Sequence, residues 1–194
     1  PVSDADTGAA AQAPVRGAND GASGVAVLLG MADALKKAPP QIGVDLLLVD
    51  GEDYGVFSEE VDVLIGSRYF AEHLPAGAAY SFAVLLDMVG DQELQIYQEG
   101  YSLTAAPDIV ELVWSTAARL GHGQVFVAEP RHTLTDDHVP LQKAGIRAID
   151  VIDYDYGPSN AWWHTKEDTL DKVSEKSLGI VGDVMMAVVR MAKS

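Results

Sequence analysis

Blocks of apolar residues along the chain predict strands that alternate with helices. Four consecutive apolar residues, Leu46 to Val49, halted by Asp50-Gly51, predict a buried strand over 43–49. A second run over 80–87 has the same character and ends in Asp87. Shorter runs with strand-like patterning lie at 94–97, 124–127 and 146–152.

Between these strands, apolar residues recur at helical spacing. Helices are predicted between the glycine-rich turn 17–24 and Pro39, over 61–74, over 107–120, between 136–138 and Gly145, and from about 174 to 191. The first two helices are expected to bury Val25, Leu28, Leu29, Ala32 and Leu35, and Val61, Leu64, Ile65, Tyr69 and Leu74. This alternation predicts one domain of class α/β, a three-layer α/β/α fold with a mostly parallel mixed sheet, preceded by a loop over 1–16.

Charge and composition narrow the range of partners. The 194 residues carry a formal net charge of -16, which argues against nucleic acid and anionic membrane surfaces as ligands. No apolar run approaches the ~18 residues of a membrane span, and no signal peptide is visible. Because the chain lacks cysteine, any metal must be held by histidine and carboxylate side chains.

Six candidate residues for chemistry fall at predicted strand or helix ends. They are Asp20, Glu52, Asp53, Asp87, Asp137 and His164. In sheet-based folds such ends converge on one rim, and open zinc sites commonly use three histidine or carboxylate ligands. Other interpretations stay open: Asp20 as a helix cap, Asp87 as a strand end, and Glu52-Asp53 as a solvated turn. Nucleotide-binding glycine motifs, a serine nucleophile elbow and a H-E-x-x-H helix are absent.

Five segments in order resemble motifs of the M28-type zinc exopeptidases. They are Gly17-Ala18-Asn19-Asp20-Gly21-Ala22-Ser23-Gly24-Val25, Asp50-Gly51-Glu52-Asp53, Leu86-Asp87-Met88, Asp136-Asp137-His138 and Trp163-His164-Thr165. Within that superfamily the chain is most similar to the glutaminyl-peptide cyclotransferases. The similarity includes Leu64-Ile65-Gly66-Ser67-Arg68 and Asp136-Asp137-His138-Val139-Pro140.

This resemblance implies a metal site. Asp20, Asp53 and His164 would bind one zinc ion. A second metal would require a histidine from the family's early His-x-Asp motif, which this sequence lacks, so the front of the family domain is expected to be missing. Relatives of this kind favour a periplasmic or secreted location.

The resemblance also implies catalytic roles. Glu52 would be the general acid and base. Asp87 would hold a second metal in an aminopeptidase, or join a hydrogen-bond network with Asp137 in a cyclase. Trp163 would form a wall of the pocket for the substrate's N-terminal side chain.

Three functions follow from this resemblance. The first is a glutaminyl cyclase that converts an N-terminal glutamine to pyroglutamate and releases ammonia. The others are an M28 aminopeptidase with one or two zinc ions and a non-catalytic zinc-binding domain. The expected partner is a peptide or protein N-terminus.

Two residues depart from the cyclase pattern: Ser58 and Asp150 stand near positions where cyclases carry tryptophan and histidine. His138 is interpreted as a structural or supporting histidine, and Asp168 and Asp171 as capping or turn residues.

Overall fold

A computed structural model of the chain describes residues 14–59 and 61–192. Most of the predicted N-terminal loop, residues 1–13, lies outside the described residues. The helices are α1 (Ala22–Lys37), α2 (Ile65–Glu72), α3 (Gly100–Ala105), α4 (Pro107–Arg119), α5 (His138–Lys143) and α6 (Glu175–Met191). The strands are β1 (Ala83–Asp87), β2 (Ile96–Gln98), β3 (Phe126–Pro130) and β4 (Ala148–Ile152), and short 3-10 turns lie at Phe57–Glu59, Pro158–Asn160 and Leu170–Lys172.

The strands form parallel pairs. β1 pairs with β4 in continuous register, from Ala83 opposite Ala148 to Asp87 opposite Ile152. β2 pairs with β3, and the register shifts after Tyr97. Parallel strands joined through helices confirm the predicted α/β class. The pairing also places the end of β1, and therefore Asp87, at the same edge as the end of β4.

The main core lies between the strands and helices α1, α4 and α6. It includes Val27, Met31, Ile96, Val110, Val113, Phe126, Val151, Val184 and Met185. Helix α6 begins at a serine cap, where the Ser174 Oγ accepts a hydrogen bond from the Ser177 amide. The bounds of α4 and α6 agree with the apolar pattern to within about a residue. Among the described helices, none is both long and apolar enough to cross a bilayer.

The predicted strand over 43–49 is wrong within the described residues. The segment has no regular secondary structure, and Leu46, Leu47 and Leu48 are exposed, the last by 59%. A buried strand requires hydrogen-bonded neighbours, and no described strand pairs with this segment. The segment therefore has the composition of a buried strand, but among the described residues no strand pairs with it and its leucines stay exposed.

The buried face of helix α1 matches the prediction only in part: Leu28 and Leu35 are partly buried and pack against the core, as predicted, but the centre of the face lies away from Val25 and Leu29. Val25 and Leu29 are exposed, whereas Ser23, Gly24 and Val27 are buried. The reason is a close contact with β1: a Cβ atom on Gly24 would lie 2.1 Å from the carbonyl oxygen of Leu86. Because only glycine permits this approach, Gly24 faces the strand, Val27 and Met31 enter the core, and Val25 and Leu29 are left exposed.

Helix α2 begins later than predicted. Asp62 and Leu64 have positive φ angles, which end any helical continuation toward Val61, and the helix starts at Ile65. Leu64 is buried as predicted, but Val61, Ile65 and Tyr69 are exposed. Helix α3 was not predicted, because its start depends on a buried carboxylate (described below) and not on apolar periodicity.

Asp153, just after β4, gives this fold a pH-dependent stability. Burial raises its pKa to about 7; the amide of Gln95 opposes this rise, and the charges of Asp91 and Asp155 add to it. Between the unfolded pKa of about 3.9 and this value, the folded protein holds a proton that the unfolded chain releases. The contribution of Asp153 to the free energy of unfolding is therefore fully present below about pH 4 and is lost as the pH rises toward 7.

Replacing Asp153 with asparagine is expected to raise the melting temperature, and the gain should be larger at pH 8 than at pH 5. Each kcal/mol recovered corresponds to about 2–4 °C for a domain of this size. Thermal unfolding followed by circular dichroism at several pH values measures the effect. The exposed Asp183→Asn variant is the control. A gain that does not change between pH 5 and pH 8 contradicts the assignment.

Candidate metal centre

The turn before α1 presents Asp20. Gly17 and Gly21 on either side of it have positive φ angles, and a Cβ atom on Gly17 would lie 2.7 Å from the Asp20 carbonyl oxygen. The side chain of Asn19 accepts a hydrogen bond from the Gly90 amide, which ties the turn to the segment after β1. Helix α1 has no side-chain cap, so the Asp20 carboxylate does not serve the capping role considered above. Its Oδ2 lies 3.4 Å from Nε2 of His164.

Backbone hydrogen bonds hold the turn at 50–53 against the start of α2. The amides of Leu64, Ile65 and Gly66 donate to the carbonyl oxygens of Glu52, Gly51 and Asp50 at 3.0, 3.2 and 2.9 Å. A side chain at Gly66 would collide with the backbone of Asp50, since its Cβ would lie 2.6 Å from that amide nitrogen. These contacts explain the glycine of the Leu64–Arg68 segment and fix the position of two adjacent carboxylates.

His164 completes the group from the loop after β4. Its backbone has a φ angle of 54°, in the left-handed region that non-glycine residues seldom adopt, and such angles cluster at functional sites. The imidazole stacks on Trp163 with ring centroids 4.0 Å apart. Its Nε2 lies 3.2 Å from Oδ2 of Asp53.

Asp20, Asp53 and His164 each direct one ligand atom toward a common point. These atoms all lie within 4.8 Å of one another. Ligands bound tetrahedrally to zinc at roughly 2.0–2.1 Å would be about 3.3 Å apart, close to the two distances observed from the His164 Nε2 atom. The side chains are 15–26% exposed, so a substrate can reach the point between them. The donor set therefore fits a zinc ion with an open coordination position.

Glu52 lies beside this group in a strongly acidic environment. Burial, together with the charges of Asp136, Asp53 and Asp20, raises its pKa to about 9 in the protein without a cation. A divalent cation at the three candidate ligands would oppose this repulsion.

Asp87 and Asp136 form a second, more buried acidic pair. Asp87 ends β1 and is followed by Met88 in a left-handed conformation. Withdrawal from water raises the pKa of Asp87 well above its usual range, and Asp136 and Asp20 add repulsion. Burial likewise raises the pKa of Asp136 to about 7, against a hydrogen bond from the Asp137 amide.

Sequence reasoning selected Asp137 and missed Asp136. In the structure the charge of Asp136 contributes to the raised pKa of Asp87, whereas Asp137 accepts a hydrogen bond of 2.5 Å from the Ser67 hydroxyl. Burial raises the pKa of Asp137, although the Ser67 hydrogen bond lowers it. Two adjacent aspartates are equivalent in a sequence, and only the backbone direction decides which side each one faces. The catalytic role of Asp137 stays a prediction.

His138 and Glu99 form a buried support behind these acids. His138 is fully buried, with Nε2 3.3 Å from Glu99 and Nδ1 3.8 Å from Asp150, which agrees with its interpretation as a structural or supporting residue. Burial alone would raise the pKa of Glu99, but hydrogen bonds from His138, the Tyr101 amide and Ser102 lower it to about 2. The same carboxylate caps α3, which is why that helix escaped prediction.

Trp163 lies beside the candidate ligands, where a pocket wall was predicted. It stacks on His164 and meets Tyr154 edge to face, and Tyr154 in turn meets His132. Trp162 has a different position, packed against Tyr156 and directly over Gly157. Both tryptophans are partly buried against Met88, Ile152 and Tyr156, and Trp163 is the one that stacks on His164. Contact of Trp163 with a substrate stays a prediction.

An α/β domain with a two-carboxylate, one-histidine centre defines a class of candidate metalloenzymes, and comparison with known proteins places this chain within it. The chain belongs to Peptidase family M28, whose family model matches residues 4–189.

Its relatives carry two different names. Aminopeptidase YwaD of Bacillus subtilis is 29% identical over 181 residues, which make up 89% of this chain and 37% of the relative. A glutaminyl cyclase from Bacteroides thetaiotaomicron, solved with N-acetylhistamine, has a TM-score of 0.93 and 36% identity, covering 100% of this chain and 70% of that one. A Zn-dependent exopeptidase from Parabacteroides distasonis has a TM-score of 0.92 and 32% identity, covering 99% and 70%.

The chain spans little more than a third of the length of the curated aminopeptidase that it matches. The match over residues 4–189 shows the family, while the reaction and its substrate are the subject of a proposal.

Proposed function

We propose that this protein is a zinc-dependent enzyme acting on peptide N-termini, and that its reaction is that of a glutaminyl cyclase. The observation that carries the proposal is the convergence of Asp20, Asp53 and His164 on one point, with Glu52 beside it. Relatives named glutaminyl cyclase and Zn-dependent exopeptidase support it. The cyclase is placed first because the cyclase-like segment at 64–68 fixes both the Glu52 turn and Asp137.

In this proposal three residues hold the metal and a fourth, Glu52, transfers the proton. Asp20, Asp53 and His164 would hold the zinc ion, which supplies Lewis-acid polarisation of the γ-carbonyl oxygen of an N-terminal glutamine. Glu52 accepts a proton from the substrate's α-amine as that nitrogen attacks the γ-carboxamide carbon. The new C–N bond closes the ring, the bond to the amide nitrogen breaks, and Glu52 returns the proton to the departing ammonia.

A carboxyl group with a raised pKa suits this exchange, because efficient acid–base catalysis requires a pKa near the working pH. Burial and the surrounding acids hold the pKa of Glu52 high, and a bound cation would bring it down toward neutrality. Trp163 would contact the substrate side chain, since it stacks on the histidine ligand.

The second candidate is an aminopeptidase, favoured by the resemblance to Aminopeptidase YwaD. Glu52 would then take a proton from the attacking water and pass it to the leaving amine, with Asp87 available for a further metal. The third is a zinc-binding domain without catalysis.

One assay separates these candidates. The zinc-loaded protein is offered a Gln-peptide and a Leu-anilide, with an N-acetylated Gln-peptide as control. The cyclase proposal expects ammonia and a pyroglutamyl product from the first substrate, and none from the control, whose α-nitrogen cannot attack. Release of the aromatic amine from the second substrate alone replaces the cyclase with the peptidase. No turnover of either substrate, with zinc bound, leaves the non-catalytic domain.

A further inference from the structure

Asp168 is a fully buried carboxylate that binds the backbone beneath the candidate metal centre. One of its oxygens, Oδ1, accepts a hydrogen bond of 2.8 Å from the Asn19 amide, and the other, Oδ2, accepts one of 3.1 Å from the Asp20 amide. The Tyr156 hydroxyl donates to Oδ1 at 2.8 Å. Both oxygens are thus engaged, and two of the three donors are successive amides of the turn that carries Asp20.

Of the sequence interpretation of Asp168 as a capping or turn residue, the turn is confirmed by the hydrogen bond from its amide to the Thr165 carbonyl oxygen, and the capping role is wrong. The 3-10 turn at Leu170–Lys172 begins at Thr169 without a side-chain cap, and α6 is capped by Ser174. The hydrogen bonds of the Asp168 side chain run instead to residues almost 150 positions earlier in the chain. No local pattern could have indicated them.

Asp168 and His164 lie in the same turn, which links the contacts of Asp168 to the candidate metal centre. The Asp168 amide donates to the Thr165 carbonyl oxygen, and the Thr165 hydroxyl donates to the Trp162 carbonyl oxygen, so residues 162–168 form one compact turn. This turn carries the His164 imidazole and, four residues on, the carboxylate that holds the Asp20 backbone. A single short segment therefore fixes two of the three candidate ligands relative to each other.

We propose that Asp168 is a positioning residue for the metal centre, which sets the spacing between the Asp20 carboxylate and the His164 imidazole. The inference rests on the proposed zinc site. A buried carboxylate bound by two backbone amides is suited to this task, because charge-assisted hydrogen bonds without competing water are strong and directional. On the far side, the Asn19 side chain accepts from the Gly90 amide, so the turn is held at both ends.

Tyr156 stabilises the position of Asp168. The phenol is fully buried, and burial followed by its hydrogen bond to Asp168 raises its pKa well above the ordinary value. It therefore remains a donor at every pH at which the protein would work. Removing the hydroxyl leaves the two amide hydrogen bonds in place but takes away one of the two donors to Oδ1.

The test is zinc affinity, measured by competition with a chromophoric chelator. Asp168→Asn keeps the size of the side chain but removes its charge and one acceptor oxygen. We expect zinc to bind about 10–100-fold more weakly, the range typical of residues that orient metal ligands. Asp171→Asn is the matched control, because Asp171 is an exposed carboxylate on the same segment. Its affinity is expected to stay within about twofold of wild type.

Cobalt substitution supplies a readout that a purely structural role would not change. The visible absorption of cobalt(II) reports the geometry of its ligands, and Asp168→Asn should alter its position or intensity while Asp171→Asn leaves it as in wild type. A variant with a lowered melting temperature but wild-type zinc affinity and cobalt spectrum overturns the proposal. If Asp168→Asn does not fold, Tyr156→Phe carries the test, with several-fold weaker zinc binding expected and wild-type binding as the contrary result.

Failure of this inference is distinct from failure of the proposed function. If the wild-type chain does not bind zinc, the proposed metal centre itself is wrong. If wild type binds zinc and all variants bind it equally, only the role of Asp168 is wrong.

Discussion

Glu52→Gln is expected to lower kcat by about 10²- to 10⁴-fold on whichever substrate the wild-type protein turns over, the range for loss of a positioned acid–base group. Glutamine has nearly the same shape but cannot accept a proton from the attacking nitrogen or water. Zinc binding should persist, because the candidate ligands are Asp20, Asp53 and His164. Steady-state kinetics together with chelator competition measure the two quantities separately.

Glu59→Gln is the matched control for this variant. Glu59 is exposed in the 3-10 turn that follows the Glu52 segment, so the substitution removes a nearby glutamate charge without touching the metal centre. It should leave kcat within about twofold of wild type. Full activity in Glu52→Gln, with zinc bound, would remove Glu52 from the mechanism in both the cyclase and the aminopeptidase proposals.

His164→Ala is expected to weaken zinc binding by more than 100-fold, beyond the range for residues that only orient ligands. The imidazole is the only nitrogen donor in the proposed set, and its Nε2 lies within 3.4 Å of both carboxylate partners. Its loss leaves two carboxylates, a set too small for the three protein ligands of a catalytic zinc site. Turnover should fall in parallel at zinc concentrations that saturate wild type.

His73→Ala controls for the loss of a histidine. His73 is exposed at the end of α2, where it stacks on Tyr69. Its removal should leave zinc affinity unchanged. Wild-type affinity in His164→Ala would show that the metal, if bound, is held elsewhere, and would overturn the proposed centre.

The sequence indicated the α/β class and most helices correctly for a physical reason. Apolar residues recur at every third or fourth position along α4 and α6, because those side chains pack into the core. The candidate ligands could also be named in advance, since Asp20, Asp53 and His164 lie in short motifs with a family resemblance.

Long-range contacts account for the errors. The apolar run over 43–49 has the composition of a buried strand, yet a strand forms only where partners supply hydrogen bonds, and the described residues supply none. One close contact between Gly24 and Leu86 shifts the buried face of α1, and the spacing of apolar residues in the sequence does not indicate this contact.

The sequence by itself thus determined the α/β class, helices such as α4 and α6, and the residue types available for zinc chemistry, because these depend on side chains and their near neighbours. Tertiary structure alone decided that the charge of Asp136 acts on Asp87, that Glu99 starts a helix, and that Asp168 holds the turn of Asp20. Each of these depends on where a buried charge finds its partner. That partner can lie at any distance along the chain, because burial without one is too costly to persist.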